Sequence, residues 1–310
     1  MRRIDATHLA LMLLALGVSY LVPFELLLFA YVVLGPAHYT TEISWLHDRK
    51  YFLPYRGLAL ALAAVAIAAA LIDNAAWFGF VVWGALVLCA LMSAASGAQG
   101  VAVFIGAAGL TAVMLARSPA LAVLGILLPG LIHVSLFTLV FMTLGAYRSG
   151  SRMQAALIAV YLAGIALILI VPPAASPVVP VFAQVARDYF ANVAPALGRL
   201  FGVPFSFDAR LVGLLAFVYT YHYLNWFIKA DVIRWSDISP ARWALIAAVS
   251  AASTGLYFYD YALGFSVLLA LSLVHVVLEF PLNALAIRQL ADAVRTGMMR
   301  RGQRLGVRGG

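Results

Sequence analysis

Apolar residues run along this chain in long blocks separated by short polar connections. A helix that crosses a bilayer needs about 20 mostly apolar residues. Runs of that kind cover roughly 9–33, 57–72, 75–93, 98–116, 120–146, 154–172, 209–229, 241–259 and 261–286. The pattern predicts an all-α, polytopic helical bundle of about nine spans (eight if two Ala-rich runs merge), forming one transmembrane domain over 1–310. Asp73-Asn74 punctuates the second and third runs, and Ser93 to Gly100 the third and fourth. The longest connection, 173–208, opens with Pro173, Pro177 and Pro180 and then repeats Val181, Val185, Tyr189, Val193 and Leu197 at every fourth position. Gln184, Arg187, Asp188 and Asn192 lie opposite, so the loop is expected to carry an amphipathic helix on the outer interface. A passive lid is its default reading, and a gate for an apolar substrate is the alternative.

Composition agrees with the pattern. Of 310 residues, 65% are hydrophobic and 10% charged, and the mean hydropathy is +1.01. A soluble domain carries about 25% charge, so a soluble globule and a disordered chain are both excluded. The +8 net charge resides in connections and in the tail at 288–310, without a basic face for nucleic acid. Arg49, Lys50, Arg56, Arg148, Arg152, Lys229, Arg234 and Arg242 fall on connections that alternate with sparsely charged ones. That bias predicts a multi-pass protein of the cell inner (cytoplasmic) membrane with a cytoplasmic C-terminus. Arg2 and Arg3 are then the exception, because nine spans put them outside. The single cysteine, Cys89, permits no intrachain disulfide.

Ionisable residues inside spans are functional candidates by default. His8 begins the first run and is read as interfacial, as is His47 beside Asp48. The other four differ. His38 follows Gly35-Pro36, where the helix is expected to break and restart, with Glu42 one turn on. His133 follows Ile132, His222 lies in Tyr221-His222-Tyr223, and His275 has Glu279 one turn on. His133, His222 and His275 each fall about 20 Å into helices that run the same way, and His38 with Glu25 can reach that level from the first. One buried histidine is most simply a packing residue. Four at one depth point instead to a metal or haem centre, with a proton or ion path as the alternative. Without cysteine ligands, imidazole suits iron, copper or zinc. Glu42 and Glu279 would orient imidazoles or ligate directly. Tyr221, Tyr223 and Trp226 would line an apolar slot, although Trp226 also reads as an interfacial anchor. Asn225 would hydrogen-bond near the centre, and Arg148, Arg152, Lys229 and Arg234 read as topology residues.

The order and setting of these histidines resemble the Brp/Blh family of β-carotene-cleaving dioxygenases. Gly35-Pro36-Ala37-His38 with Glu42, Ile132-His133, Tyr221-His222-Tyr223 and His275 through Phe280 are each similar to a motif of that family. An acid after the middle histidine is missing, and Trp226 stands where the family has a second late histidine. The resemblance implies a non-haem Fe(II) held by four histidines in a helical bundle, here His38, His133, His222 and His275. It implies O2 as co-substrate and an apolar membrane-dissolved polyene, carotenoid or other lipid as substrate. A haem protein, or a proton- or ion-coupled transporter using the same His and Glu residues as a relay, are the alternatives.

Overall fold

The computed structural model describes residues 2–51, 56–71, 75–92, 105–106, 108–113, 128–174 and 208–306. Among them there is no strand, and the chain is an all-α polytopic bundle. The helices are α1 (Arg2–Leu21), α2 (Pro23–Phe29), α3 (Gly35–Arg49), α4 (Arg56–Leu71), α5 (Ala75–Met92), α6 (Thr138–Ser149), α7 (Arg152–Ile170), α8 (Ala209–Ile228), α9 (Ala230–Ile233), α10 (Pro240–Tyr259) and α11 (Tyr261–Gly306). Two π-helical stretches, Ala30–Leu34 and Leu128–Phe137, lead into α3 and α6. Six segments are long and apolar enough to cross a membrane: Ile4–Leu21, Pro23–Arg49, Gly130–Ser149, Arg152–Ile170, Ala209–Ile228 and Tyr261–Thr296. Most of the predicted run 98–116 and the amphipathic helix of the 173–208 loop lie outside the described residues. In the described part of the basic tail, α11 continues to Gly306.

The first predicted run, 9–33, is not one span. Asp5 accepts a hydrogen bond from Gln154 at the start of α7, and the Tyr20 hydroxyl donates to the Val171 carbonyl beyond its end. Thus α1 runs alongside α7. The chain then reverses. Phe24 and Leu28 pack with Val212 at the start of α8, whereas Arg49 donates to the Ile233 carbonyl past the end of α8. The reversal sits at Val22 (φ −142°, ψ 64°), followed by Pro23 at the first position of α2. Proline has no N–H to continue a helix and pushes its predecessor out of the α region. Hydropathy passes through this two-residue corner unbroken, which is why the pattern joins the two helices. The start of α1 therefore shares a face with Arg148, Arg152, Lys229 and Arg242, and Arg2 and Arg3 are no exception to the charge bias. We call this the basic face.

Gly35-Pro36 does not break its helix either. The widened turn at Ala30–Leu34 absorbs the proline, and Pro23–Arg49 runs on as one span. His38 therefore sits mid-span without folding back. Apolar side chains gain little by leaving lipid, so close packing and hydrogen bonds must hold such helices together. Small residues serve that purpose where α4 and α5 meet α11: Ala66, Ala69 and Ala85 are buried against Val276, Val277 and Phe280. At the α10–α11 corner, a Cβ on Gly264 would collide with the Tyr257 backbone.

Candidate metal centre

Four helical segments that run the same way, toward the basic face, each bring one histidine to a common level. His38 comes from α3, His133 from the second π-helical stretch, His222 from α8 and His275 from α11. His38, His133 and His275 are each 1% exposed and His222 9%, so all four rings lie inside the bundle. Proline marks three of the four segments: Pro36 before His38, Pro129 before His133 and Pro281 after Glu279. Proline and π-turns change the rotation of the helix downstream, and π-turns recur at functional sites for that reason.

The imidazoles form a closed ring. Centre-to-centre distances are 4.8 Å for His38–His222, 5.3 Å for His222–His133, 5.1 Å for His133–His275 and 4.9 Å for His275–His38. Four imidazoles whose Nε2 atoms lie about 2.1 Å from one ion would have adjacent centres roughly 4.6–5.3 Å apart, between square-planar and tetrahedral angles. The observed spacing matches that geometry. Nε2 of His38 and Nε2 of His222 are 3.1 Å apart. The Oε2 atom of Glu42 lies 3.1 Å from Nε2 of both His38 and His275. The Oε2 atom of Glu279 lies 3.2 Å from Nε2 of His133 and 3.6 Å from Nε2 of His275. His38, Glu42 and His275, and likewise His133, His275 and Glu279, present donor atoms within 4.8 Å of one another.

Of the two roles open to Glu42 and Glu279, orienting imidazoles or ligating directly, the geometry favours the second. Glu42 and Glu279 face the Nε2 atoms at the middle of the ring, not the outer Nδ1 atoms, so they stand as prospective ligands rather than tautomer-setting partners. The tautomer of His222 is set by a residue the sequence did not flag: its Nδ1 lies 2.7 Å from the hydroxyl of Thr138. With an ion on Nε2, Nδ1 would carry the proton and donate to that hydroxyl. Among the described residues, the inward Nε2 of His133 and Oε2 of Glu279 have no hydrogen-bond partner. A ring of buried imidazoles and carboxylates with inward atoms so poorly satisfied is costly without an ion, because each buried polar group lacking a partner forfeits its hydration.

Aromatic side chains brace the ring. The Tyr39 ring stacks on His275 at 4.9 Å, and its hydroxyl meets that of Tyr223 at 2.6 Å. Tyr223 in turn packs 4.9 Å from His38. Trp226 is buried rather than interfacial: its Nε1 donates to Thr41, and its ring meets His38 edge-on at 5.5 Å. Tyr221 turns toward α1, where its hydroxyl lies 3.5 Å from Nδ1 of His8. His8 is therefore buried inside the bundle and not at the interface. Asn225 stands one turn beyond His222 on the wall of a cavity and makes no contact with the ring among the described interactions. Glu25 lies in the first turn of α2, at the opposite face from the ring's open side. His47 is exposed and pairs with Asp48.

The cavity measures about 480 Å³. Its inner end is formed by His38, Glu42, His222 and Glu279, and its walls by Trp45, Phe141, Met142, Leu144, Leu157, Tyr221 and Trp226. It reaches the basic face between Asp5, Arg148, Gln154 and Lys229. Arg148 and Lys229 thus line the cavity besides marking topology. A concave, mostly apolar space ending on a few convergent polar groups is the usual form of a ligand site.

Fold and site together define a class: a membrane-type helical bundle with buried His/Glu groups spaced to hold a metal ion. No family model, no curated protein and no solved structure matches the chain.

Proposed function

We propose that the chain is a membrane-embedded, metal-dependent oxidoreductase, a non-haem Fe(II) oxygenase acting on a carotenoid, isoprenoid or other membrane-dissolved lipid. The observation that carries this reading is the ring of four imidazoles with Glu42 and Glu279 turned to its middle, at the blind end of an apolar cavity. The donor set is nitrogen and oxygen without sulfur, which suits Fe(II) among the transition metals. A planar macrocycle has no slot between rings this close, so a bare ion fits better than haem. The resemblance to the Brp/Blh family supports the same reading, with a substrate that stays open.

An Fe(II) ion held there by His38, His133, His222 and His275 would supply one-electron redox chemistry toward O2. The protein's own part is positional. His38, His133, His222 and His275 hold the ion from four helices. Thr138 fixes the His222 ring, and Tyr39 fixes the faces of His275 and, through Tyr223, of His38. Phe141, Met142, Leu157 and Trp226 keep water from the reacting end, which strengthens every electrostatic interaction there.

Metal content of the purified chain, by elemental mass spectrometry with an absorption spectrum, tests the reading. About one iron per chain is expected, without a Soret band, lost in His133→Ala and His275→Ala. O2 uptake with a polyene is the next expectation. Folded protein that contains no metal and takes up none would sink the oxygenase reading. It would favour the second reading, a proton relay, for which the supporting observation is that His133, Glu279, His275, Glu42, His38 and His222 follow one another at 3.1–3.6 Å.

A further inference from the structure

The two ends of the cavity differ in chemistry. The inner end is the histidine ring, and the middle is apolar. The outer end, at the basic face, carries Asp5, Arg148, Gln154 and Lys229. Three of these four are already engaged: Gln154 donates to Asp5, and Arg148 donates to the Gln289 side chain at 2.7 Å. Lys229 is not. It caps the end of α8, is half-buried, and makes no hydrogen bond or ion pair with the described residues. Burial pushes its ammonium down to about 8, as expected of a cation taken from water without a counter-charge. A cation held in that state on a cavity wall is a site for an anion.

Size sets a second limit. At about 480 Å³ the cavity falls in the lower half of the roughly 300–1,000 Å³ range of sites for one small molecule, which suits one acyl chain better than the two of a phospholipid. Its direction sets a third: the charged mouth lies at a helix end, where lipid headgroups sit, and the apolar body points into the membrane-spanning part. A symmetric hydrocarbon would leave the mouth unanswered.

We propose that the cavity binds a single-chain lipid with a compact anionic head, the head against Lys229 and the chain running to the histidine ring. The head is a carboxylate or a phosphate monoester, which present the same chemistry to a lysine. The inference rests on the oxygenase reading only for what happens at the ring, and the binding itself needs no metal. It narrows the substrate from any membrane-dissolved polyene to an amphipathic acid whose unsaturated part lies toward the blind end.

The test uses the full chain in a zwitterionic detergent, with cis-parinaric acid, a fluorescent conjugated long-chain acid, titrated against its methyl ester. The acid is expected to bind at least about tenfold more tightly than the ester, the scale of one charge-assisted hydrogen bond. Lys229→Met should erase that difference by weakening the acid alone, and Lys229→Arg should keep it. Displacement by oleate in preference to an alkyl phosphate assigns the head as carboxylate, and the reverse order as phosphate. Equal affinity for acid and ester in the natural chain, or no loss in a folded Lys229→Met, overturns the proposal. Titrations with chelator-treated and iron-loaded protein separate the two ideas. Acid selectivity in protein that never takes up iron keeps the lipid site and discards the oxygenase. Iron uptake without acid selectivity does the opposite.

Discussion

At the scale of single residues, the ring depends on groups that hold its imidazoles in one orientation. Thr138 is the clearest. Its hydroxyl is the only described partner of Nδ1 on His222, and loss of such an outer contact typically lowers metal affinity 10–100-fold. Thr138→Val, nearly equal in volume, should therefore keep the fold and release metal to a competing chelator at concentrations lower by about that factor. Lys229 makes the opposite kind of case. A half-buried cation with no ion-pair partner among the described residues lowers stability. Because its folded value is near 8 against an ordinary 10.5, the unfolded chain binds the extra proton between those pH values. Stability should rise with pH across that window and the penalty be fully present below it. Lys229→Met should unfold at a higher temperature than the natural chain at pH 7, and the gap should narrow as the pH is raised from 8 toward 10. A gap independent of pH would mean that the charge is not the source.

At the scale of elements, proline and glycine set the geometry. The π-turn at Ala30–Leu34 lets Pro36 sit inside a continuous span, and the rotation it introduces aims His38 and Glu42 at the ring. Pro36→Ala allows the turn to relax to an α-helix. The expected result is unchanged helix content by circular dichroism with metal content well below that of the natural chain. Gly264 has a different task. A side chain there meets the Tyr257 backbone, which cannot swing aside as a flexible side chain would. Gly264→Ala should open the α10–α11 corner, and thermal unfolding should show a loss of stability of about 1–3 kcal/mol, the usual scale of overpacking.

At the scale of the molecule, the turn at Val22 fixes sidedness. With α1 and the Pro23–Arg49 span as an antiparallel pair, the start of α1 lies on the basic face. The α11 segment around Gln289 and Ala293 lies there too, bonded to Arg148 and Tyr147 at the end of α6. Compartment-sensitive reporters fused before Met1 and after Gly310 should therefore report the same side. Opposite sides would contradict the hairpin. The same arrangement makes α3, α6, α8 and α11 run in one direction, so that four histidines far apart in sequence arrive at one level.

Much of this was legible in the residues themselves. The long apolar runs determine an all-α membrane bundle because an apolar backbone segment in lipid has to satisfy its own hydrogen bonds. The spacing of His38 with Glu42 and of His275 with Glu279 places each pair on one helix face, since 3.6 residues complete a turn. Ionisable residues inside spans mark the functional region because burying them without a purpose is costly. Tertiary structure alone decided the rest. The corner at Val22 is silent to hydropathy, since both flanking helices are apolar. The inward facing of Glu42 and Glu279, the Thr138 contact with His222 and the burial of His8 and Trp226 depend on how helices rotate against each other. That rotation is set by packing between segments and by two π-turns, and no local pattern encodes it. The cavity between Lys229 and the ring is likewise a space left by several helices, so it exists only once they have assembled.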